Sequence, residues 1–159
     1  GIPVEQREIV FWDKPEAMLV ASPKGTVPVL ILPNGKVVDE SRDIMLWALS
    51  QNDELDWLPS ENDEDYETIM ALMDACDDEF KIHLDHYKYA ERFPEEAPEV
   101  YRAMGEHFLE QLEKQLSKSA INDSMAYLFK GRVSIADIAL FPFVRQFAHV
   151  DKIWFAASG

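Results

Sequence analysis

The dipeptide Asn34-Gly35 constrains the fold of this chain more than any other stretch of it. It separates two short apolar runs, residues 29–32 and 36–38. Asn-Gly is the strongest short-range signal for an antiparallel hairpin, because both residues accept positive φ. We therefore predict that the two runs pair as antiparallel strands, with Asn34 and Gly35 at the centre of the turn.

Both ends of this hairpin carry residues that a plain hairpin does not require. Pro28 cannot donate a backbone hydrogen bond, which places it at the start or edge of a strand and leaves the backbone of Val27 free to bind something else. After the hairpin, an apolar pattern at helical spacing predicts a helix from about Ser41 to Ser50. The first N–H groups of such a helix, at its positive dipole end, suit a carboxylate.

Two further elements are predicted ahead of the hairpin. Apolar residues favour a strand from Val4 to Phe11, although a charged run interrupts the pattern. A short helix is predicted from about Pro15 to Ala21, capped by Asp13, with Met18 and Leu19 turned inward. The order of elements is then strand, helix, hairpin, helix.

Beyond a polar, turn-rich linker at residues 51–61, the chain changes character. Apolar residues recur at steps of three and four, which predicts a long amphipathic helix from about Asn62 to Ala90 and a second one ending near Ser119. Ser134 stands three residues ahead of Asp137 and opens another apolar pattern, as in a capping box. We expect both residues to be structural caps.

The charge balance narrows the classes of partner. Thirty acidic residues against fifteen basic ones give a formal net charge of -15, which disfavours nucleic acids and anionic membranes. No apolar run approaches the ~20 residues of a membrane span. We find no secretory leader pattern at the first residues and therefore expect a cytoplasmic protein.

Cysteine and histidine usage gives little sign of metal or thiol chemistry. Cys76 is the one cysteine, and it lies among acidic residues on the apolar side of a predicted helix, which indicates a small core residue. His83 and His86 stand three residues apart, but the sequence supplies no third ligand at metal-binding spacing. We predict no metal site.

Two of these motifs together resemble a known family. Val27-Pro28 at the head of a hairpin, followed by Glu40-Ser41 at the start of the next helix, resembles the glutathione-binding half of the cytosolic glutathione transferases. The family also has a Ser/Thr-x-x-Asp box in its helical half, as here at Ser134. The resemblance implies a cis Pro28, a Val27 backbone that pairs with the cysteinyl unit of glutathione, and a γ-glutamyl end held by Glu40 and Ser41.

Lys14 extends the resemblance towards one branch of the family. It lies in the segment Trp12-Asp13-Lys14-Pro15-Glu16, which is similar to a segment of the omega-type transferases. There the lysine approaches the glycyl carboxylate of glutathione. An ordinary surface lysine is the alternative.

The resemblance implies an α/β domain followed by an all-α domain. We expect a partial thioredoxin-like domain over residues 1–50, a linker over 51–61 and an all-helical domain over 62–159. The family's first strand and helix have no counterpart in the sequence, and we expect the carboxyl end to be incomplete too. In the family that first unit carries the Tyr, Ser or Cys that acts on the glutathione sulfur, so the catalytic residue is unassigned.

The expected function is that of a homodimeric glutathione transferase active in detoxification, with glutathione as co-substrate. Its thiolate would attack a hydrophobic electrophile or reduce a disulfide. The alternative is a non-catalytic member of the family that serves as a protein-binding or regulatory module.

Overall fold

The computed structural model of this chain describes residues 2–119, 127–129 and 131–158. The chain divides into two compact units, Gly1–Leu58 and Pro59–Gly159. We call them the amino-terminal unit and the carboxy-terminal unit.

An antiparallel hairpin forms the sheet of the amino-terminal unit. Strands β1 (Leu30–Ile31) and β2 (Val37–Val38) pair so that Leu30 faces Val38 and Ile31 faces Val37. The predicted hairpin is thus confirmed, with strands shorter than the apolar runs that indicated them.

The hairpin turn differs from the predicted one. The Gly35 N–H donates to the Leu32 carbonyl oxygen at 2.8 Å, which puts Pro33 and Asn34 at the turn centre. Gly35 follows with φ +83°, whereas Asn34 is not among the described residues with positive φ. The predicted turn centre was wrong because Pro33 supplies the fixed negative φ of an ordinary turn, leaving glycine to take the left-handed position after it.

Two helices flank the hairpin, α1 (Glu16–Ala21) and α2 (Ser41–Gln51), and both were predicted. Asp13 does not cap α1, because the residue preceding the helix is Pro15 and no side chain caps it. Leu19 was expected to be inward but is 41% exposed.

The predicted strand from Val4 to Phe11 is wrong. Among the described residues of this segment, the structure has only an isolated bridge between Val10 and Asp13, where the Asp13 N–H donates to the Val10 carbonyl oxygen at 3.0 Å. A strand is stabilised by the backbone of a neighbouring strand. In the part of the chain that is described, the only ladder joins β1 to β2.

The carboxy-terminal unit is helical. A continuous helical run includes α3, a π-helical turn and α4, and it confirms the long helix predicted from the apolar spacing. The second predicted helix is α5, and the capping-box helix is α6. The bounds are α3 (Tyr66–Ala75), the π-helical turn (Cys76–Phe80), α4 (Lys81–Lys88), a 3-10 turn (Ala90–Arg92), α5 (Pro98–Ser119), α6 (Ile135–Val150) and α7 (Lys152–Ala157). No described helix is both long enough and apolar enough to cross a membrane.

An aromatic cluster forms the core of this unit. The ring of Phe80 stacks on Phe108 at 4.8 Å between centroids and lies 5.5 Å from Phe147. Gly105 on α5 leaves room for the Phe147 ring of α6, since a β-carbon at this position would lie 2.6 Å from that ring. Cys76 is 2% exposed, as expected of a core residue.

The start of α6 is held by a carboxylate. The side chain of Asp137 accepts hydrogen bonds from the Ser134 N–H at 2.8 Å, the Ser134 hydroxyl at 2.7 Å and the Leu128 N–H at 2.9 Å. Ser134 and Leu128 are both buried. Asp137 therefore satisfies backbone donors that water cannot easily reach.

Candidate functional site

The predicted binding residues of the amino-terminal unit lie at one end of its hairpin. Because β1 and β2 run antiparallel, the chain that enters β1 and the chain that leaves β2 are at the same end. The entering chain contains Val27 and Pro28, and the leaving chain contains Glu40 and Ser41. The Val27-Pro28 peptide bond is cis, as the resemblance implied.

Helix α2 begins at this end of the hairpin. Ser41 is its first residue, and the side chain of Glu40, which precedes it, makes no capping hydrogen bond. A helix start carries N–H groups without intrahelical acceptors and a partial positive charge. The start of α2 can therefore bind an anion, and the neighbouring Glu40 carboxylate can bind a cation.

Three residues that we did not predict tie the loop after α1 to this helix start. The buried Ser22 hydroxyl donates to Asp39 Oδ2 at 2.6 Å. The Lys24 ammonium lies 3.4 Å from Asp39 Oδ1 and also pairs with Glu40 Oε1. These partners are separated by 15 to 17 residues in the chain, so no local sequence pattern could have indicated them.

The same contacts shift the titration of the charged groups. The hydrogen bond from Ser22, with a further contribution from Lys24, lowers the pKa of Asp39 below its ordinary value. The hydrogen bond to Glu40, followed by that to Asp39, raises the pKa of Lys24 above its ordinary value. Both groups are therefore charged at neutral pH.

Lys14 lies beside the turn that leads to Val27. Gly25 is buried with φ +63°, and a β-carbon at this position would lie 3.5 Å from Lys14 Nζ. The Lys14 ammonium is therefore close to a backbone position only two residues ahead of Val27. This neighbourhood distinguishes Lys14 from a lysine that extends freely into water.

The charges at this end of the hairpin alternate in sign. Lys14, Lys24 and the start of α2 attract carboxylates, whereas Asp39 and Glu40 attract an ammonium group. The backbone segment just before a β-strand can form hydrogen bonds with an extended peptide that lies alongside it. The arrangement suits a short zwitterionic peptide better than a purely apolar molecule.

Two protein-family models match this chain. The model of the glutathione S-transferase N-terminal domain matches residues 1–51, and that of the C-terminal domain matches residues 97–156. The chain belongs to the glutathione S-transferase family. A search of curated protein sequences found no match to it.

Solved structures show the family fold. BphK, a bacterial glutathione S-transferase seen in a ternary complex, is 22% identical with a TM-score of 0.68, over 86% of this chain and 64% of that one. An enzyme from Pseudomonas fluorescens Pf-5 is 24% identical with a TM-score of 0.66, over 86% and 66%. A sphingomonad glutathione S-transferase complexed with glutathione is 25% identical with a TM-score of 0.58, over 86% and 64%. These likenesses confirm the fold class, a thioredoxin-like domain followed by a helical domain of the transferase type.

The chain spans 64 to 66% of the length of these three proteins, slightly less than two thirds. The family and the fold are therefore established for this chain.

Cys76 does not provide the thiol that a disulfide-exchanging transferase needs. It is buried in the carboxy-terminal unit, and burial raises the pKa of its thiol to about 12. A thiol with that pKa contains almost no thiolate at neutral pH, and the thiolate is the form that reacts.

The histidines that could suggest a metal have other surroundings. The His86 ring packs on Phe93 at 4.0 Å between centroids, and His83 Nε2 lies 3.9 Å from a Glu79 carboxylate oxygen. Within residues 2–119, 127–129 and 131–158, no group of three metal-ligating side chains is placed to hold an ion. Ser134 and Asp137 lie in this same unit, at the start of α6.

Proposed function

We propose that this chain binds glutathione at the hairpin end formed by Val27, Pro28, Glu40 and Ser41. We propose further that the protein acts as a glutathione transferase. One observation carries the proposal. The segment Val27-Pro28 and the start of α2 lie at the same end of one hairpin, in a chain that matches both transferase domain models.

The chemistry of glutathione matches the groups at this end. Its cysteinyl unit would pair with the backbone of Val27 as an added extended segment. Its γ-glutamyl carboxylate would lie at the start of α2 near Ser41, with the amino group at Glu40. Its glycyl carboxylate would lie towards Lys14.

The reaction that follows from this binding is attack by the glutathione thiolate on a hydrophobic electrophile, or reduction of a disulfide. A hydrogen-bond donor or positive charge close to the sulfur lowers the thiol pKa and raises the thiolate fraction at neutral pH. We leave the residue with this role unassigned. An omega-like reaction and a part in detoxification are finer expectations that rest on Lys14 and on the family resemblance.

We further propose a cytoplasmic homodimer without nucleic-acid or membrane partners. The net charge of -15 repels polyanions, and the cysteine usage fits a reducing compartment. The homodimer rests on the family resemblance alone. Analytical ultracentrifugation at several protein concentrations tests the dimer.

Calorimetric titration with glutathione tests the binding site. The double variant Glu40→Ala/Ser41→Ala removes one carboxylate and one hydroxyl, and we expect it to stay folded and to lose glutathione binding. The matched control is Ser50→Ala/Glu54→Ala, which removes the same two groups from exposed positions beyond the site. Unchanged affinity in the Glu40→Ala/Ser41→Ala variant would defeat the assignment.

Turnover separates the transferase from its alternative. We expect conjugation of glutathione to a chlorinated aromatic compound, or reduction of a glutathionyl disulfide. A protein that binds glutathione and turns over neither substrate would instead be a non-catalytic binding module on the same scaffold.

A further inference from the structure

Lys24 lies between two carboxylates at the start of α2. Its ammonium pairs with Glu40 Oε1 and lies 3.4 Å from Asp39 Oδ1. Both contacts join Lys24 to residues that directly precede α2. The Glu40 carboxylate therefore already holds an ammonium group before any ligand arrives.

Glutathione brings an ammonium group of its own to the same carboxylate under the function proposed above. Two ammonium groups at one carboxylate repel each other, and each loses part of its attraction to Glu40. The side chains of Lys24 and Glu40 are 51% and 59% exposed, so their pairing is weak enough to be displaced.

Asp39 provides the place to which Lys24 can move. Its carboxylate is held by the hydroxyl of Ser22, a residue with no exposed surface, at 2.6 Å. This anchor fixes Asp39 independently of Lys24. A small movement of the flexible lysine side chain would exchange Glu40 for Asp39 without leaving its charge unpaired.

We propose that Lys24 competes with the γ-glutamyl amino group for the Glu40 carboxylate, and that ligand binding transfers Lys24 to Asp39. The proposal rests on the glutathione site proposed above. Lys24 thereby sets the selectivity of the site for ligands that carry this amino group, because a ligand without it does not need to displace the lysine. Lys24 acts through Glu40 and is a positioning residue.

The test is calorimetric titration of the whole chain with two ligands, glutathione and an analogue that lacks only the γ-glutamyl α-amino group. The measured quantity is the preference, meaning the ratio of the affinity for glutathione to the affinity for the analogue. Lys24→Met removes the competitor, and we expect the preference to rise about two- to fivefold, the range of an exposed ion pair. The ratio cancels the effect of the lost positive charge on the two carboxylates that both ligands carry.

Three further variants complete the test. Lys36→Met removes a lysine from the turn at the opposite end of the hairpin, and we expect it to leave the preference unchanged. Lys24→Arg keeps a cation beside Glu40 and should keep the preference near that of the unaltered protein. In a Glu40→Gln background, Lys24→Met should no longer raise the preference, because the contested carboxylate is gone.

The outcomes separate this proposal from the one on which it rests. An unaltered protein that does not bind glutathione would refute the site and the Lys24 proposal together. Binding with an unchanged preference in Lys24→Met would refute the Lys24 proposal alone. A lower preference in that variant would refute it too, and would mean that Lys24 orients Glu40 in favour of the ligand.

Discussion

The two units of this chain bury their apolar residues to very different extents. In the carboxy-terminal unit Phe80 and Phe147 are each 0% exposed. Among the described residues of the amino-terminal unit, Val38 is the one buried apolar side chain, whereas Trp12 is 91% exposed. The difference follows from architecture, because helices that pack on several neighbours enclose their apolar faces while a two-stranded sheet leaves both of its faces to be covered.

The amino-terminal unit uses polar contacts where the other unit uses aromatic packing. Its most buried side chain is that of Ser22, which holds Asp39 next to the candidate glutathione site. Polar contacts of this kind depend on water, salt and pH far more than aromatic packing does. The candidate binding site therefore lies in the unit with the smaller apolar core. Ligand-binding loops commonly belong to the less stable parts of a protein.

The largest expected effect tests the contrast in packing. Phe80→Ala removes a fully buried ring, and we expect it to lower the free energy of unfolding by about 3–5 kcal/mol. The matched variant Phe11→Ala removes the same ring from a site in the amino-terminal unit that is 67% exposed, and we expect a change within about 0.5 kcal/mol. Hydrogen exchange read by mass spectrometry at increasing urea concentration follows each unit separately.

Similar losses from Phe80→Ala and Phe11→Ala would break the comparison between the units. They would mean that Phe11 is covered in solution by something that its exposure in this structure does not reveal. Phe80→Leu, a milder change, keeps the comparison measurable if the alanine variant does not fold.

A smaller effect distinguishes a buried cap from an exposed one within the carboxy-terminal unit. Asp137→Ala leaves the N–H groups of Ser134 and Leu128 without their acceptor, and we expect a loss of about 2–3 kcal/mol. Asp151→Ala removes an exposed cap whose carboxylate accepts from Ile153 and Trp154, and we expect a loss of about 1 kcal/mol. Thermal unfolding followed by circular dichroism gives both values.

Glutathione titration of the Asp137→Ala variant adds a functional check. We expect the folded fraction to bind glutathione as the unaltered protein does, because Asp137 lies in the carboxy-terminal unit and bonds only structural donors among its described contacts. A lower affinity at unchanged thermal stability would place Asp137 in the ligand site instead.

The smallest expected effect concerns the polar contacts of the amino-terminal unit. Ser22→Ala should raise the pKa of Asp39 towards its ordinary value, because the Ser22 hydrogen bond is the main cause of its lowering. Lys24→Met should raise the same pKa by less. Carbon-13 NMR titration of the Asp39 carboxyl carbon measures both changes.

The sign of the pH dependence follows from the direction of this shift. A carboxyl whose pKa is lower in the folded state stabilises the fold fully above its unfolded pKa of about 3.9. That stabilisation is lost as the pH falls through the lower folded value. We therefore expect Ser22→Ala to reduce the stabilisation that Asp39 gives at neutral pH, so that less stability is lost on acidification. The exposed control Ser50→Ala should leave the Asp39 pKa unchanged.

Local patterns in the sequence predicted most of the secondary structure. Apolar spacing predicted α2 and the long helices, because burying one face of a helix imposes its period on the sequence. The same reasoning failed for residues 4–11, where apolar content favoured a strand that has no pairing partner in the described structure. It also could not foresee the π-helical turn at Cys76–Phe80, since one inserted residue changes the helical period only locally.

The candidate site was only partly predictable for the same physical reason. Pro28 and Ser41 were recognisable, because a proline before a strand and a serine before a helical pattern are signals within a few residues. Ser22, Lys24 and Asp39 were missed, because their hydrogen bonds join segments that are distant in the chain.

The sequence by itself determined the order of the helices, the antiparallel hairpin and the family resemblance, since each depends on residues close together in the chain. Only the tertiary structure decided which carboxylates Lys24 holds, where Lys14 lies and how little of the amino-terminal unit is buried. These features arise when distant segments meet. Their free energy depends on how far the polar groups are desolvated and how the charges are paired. A local sequence pattern contains neither quantity.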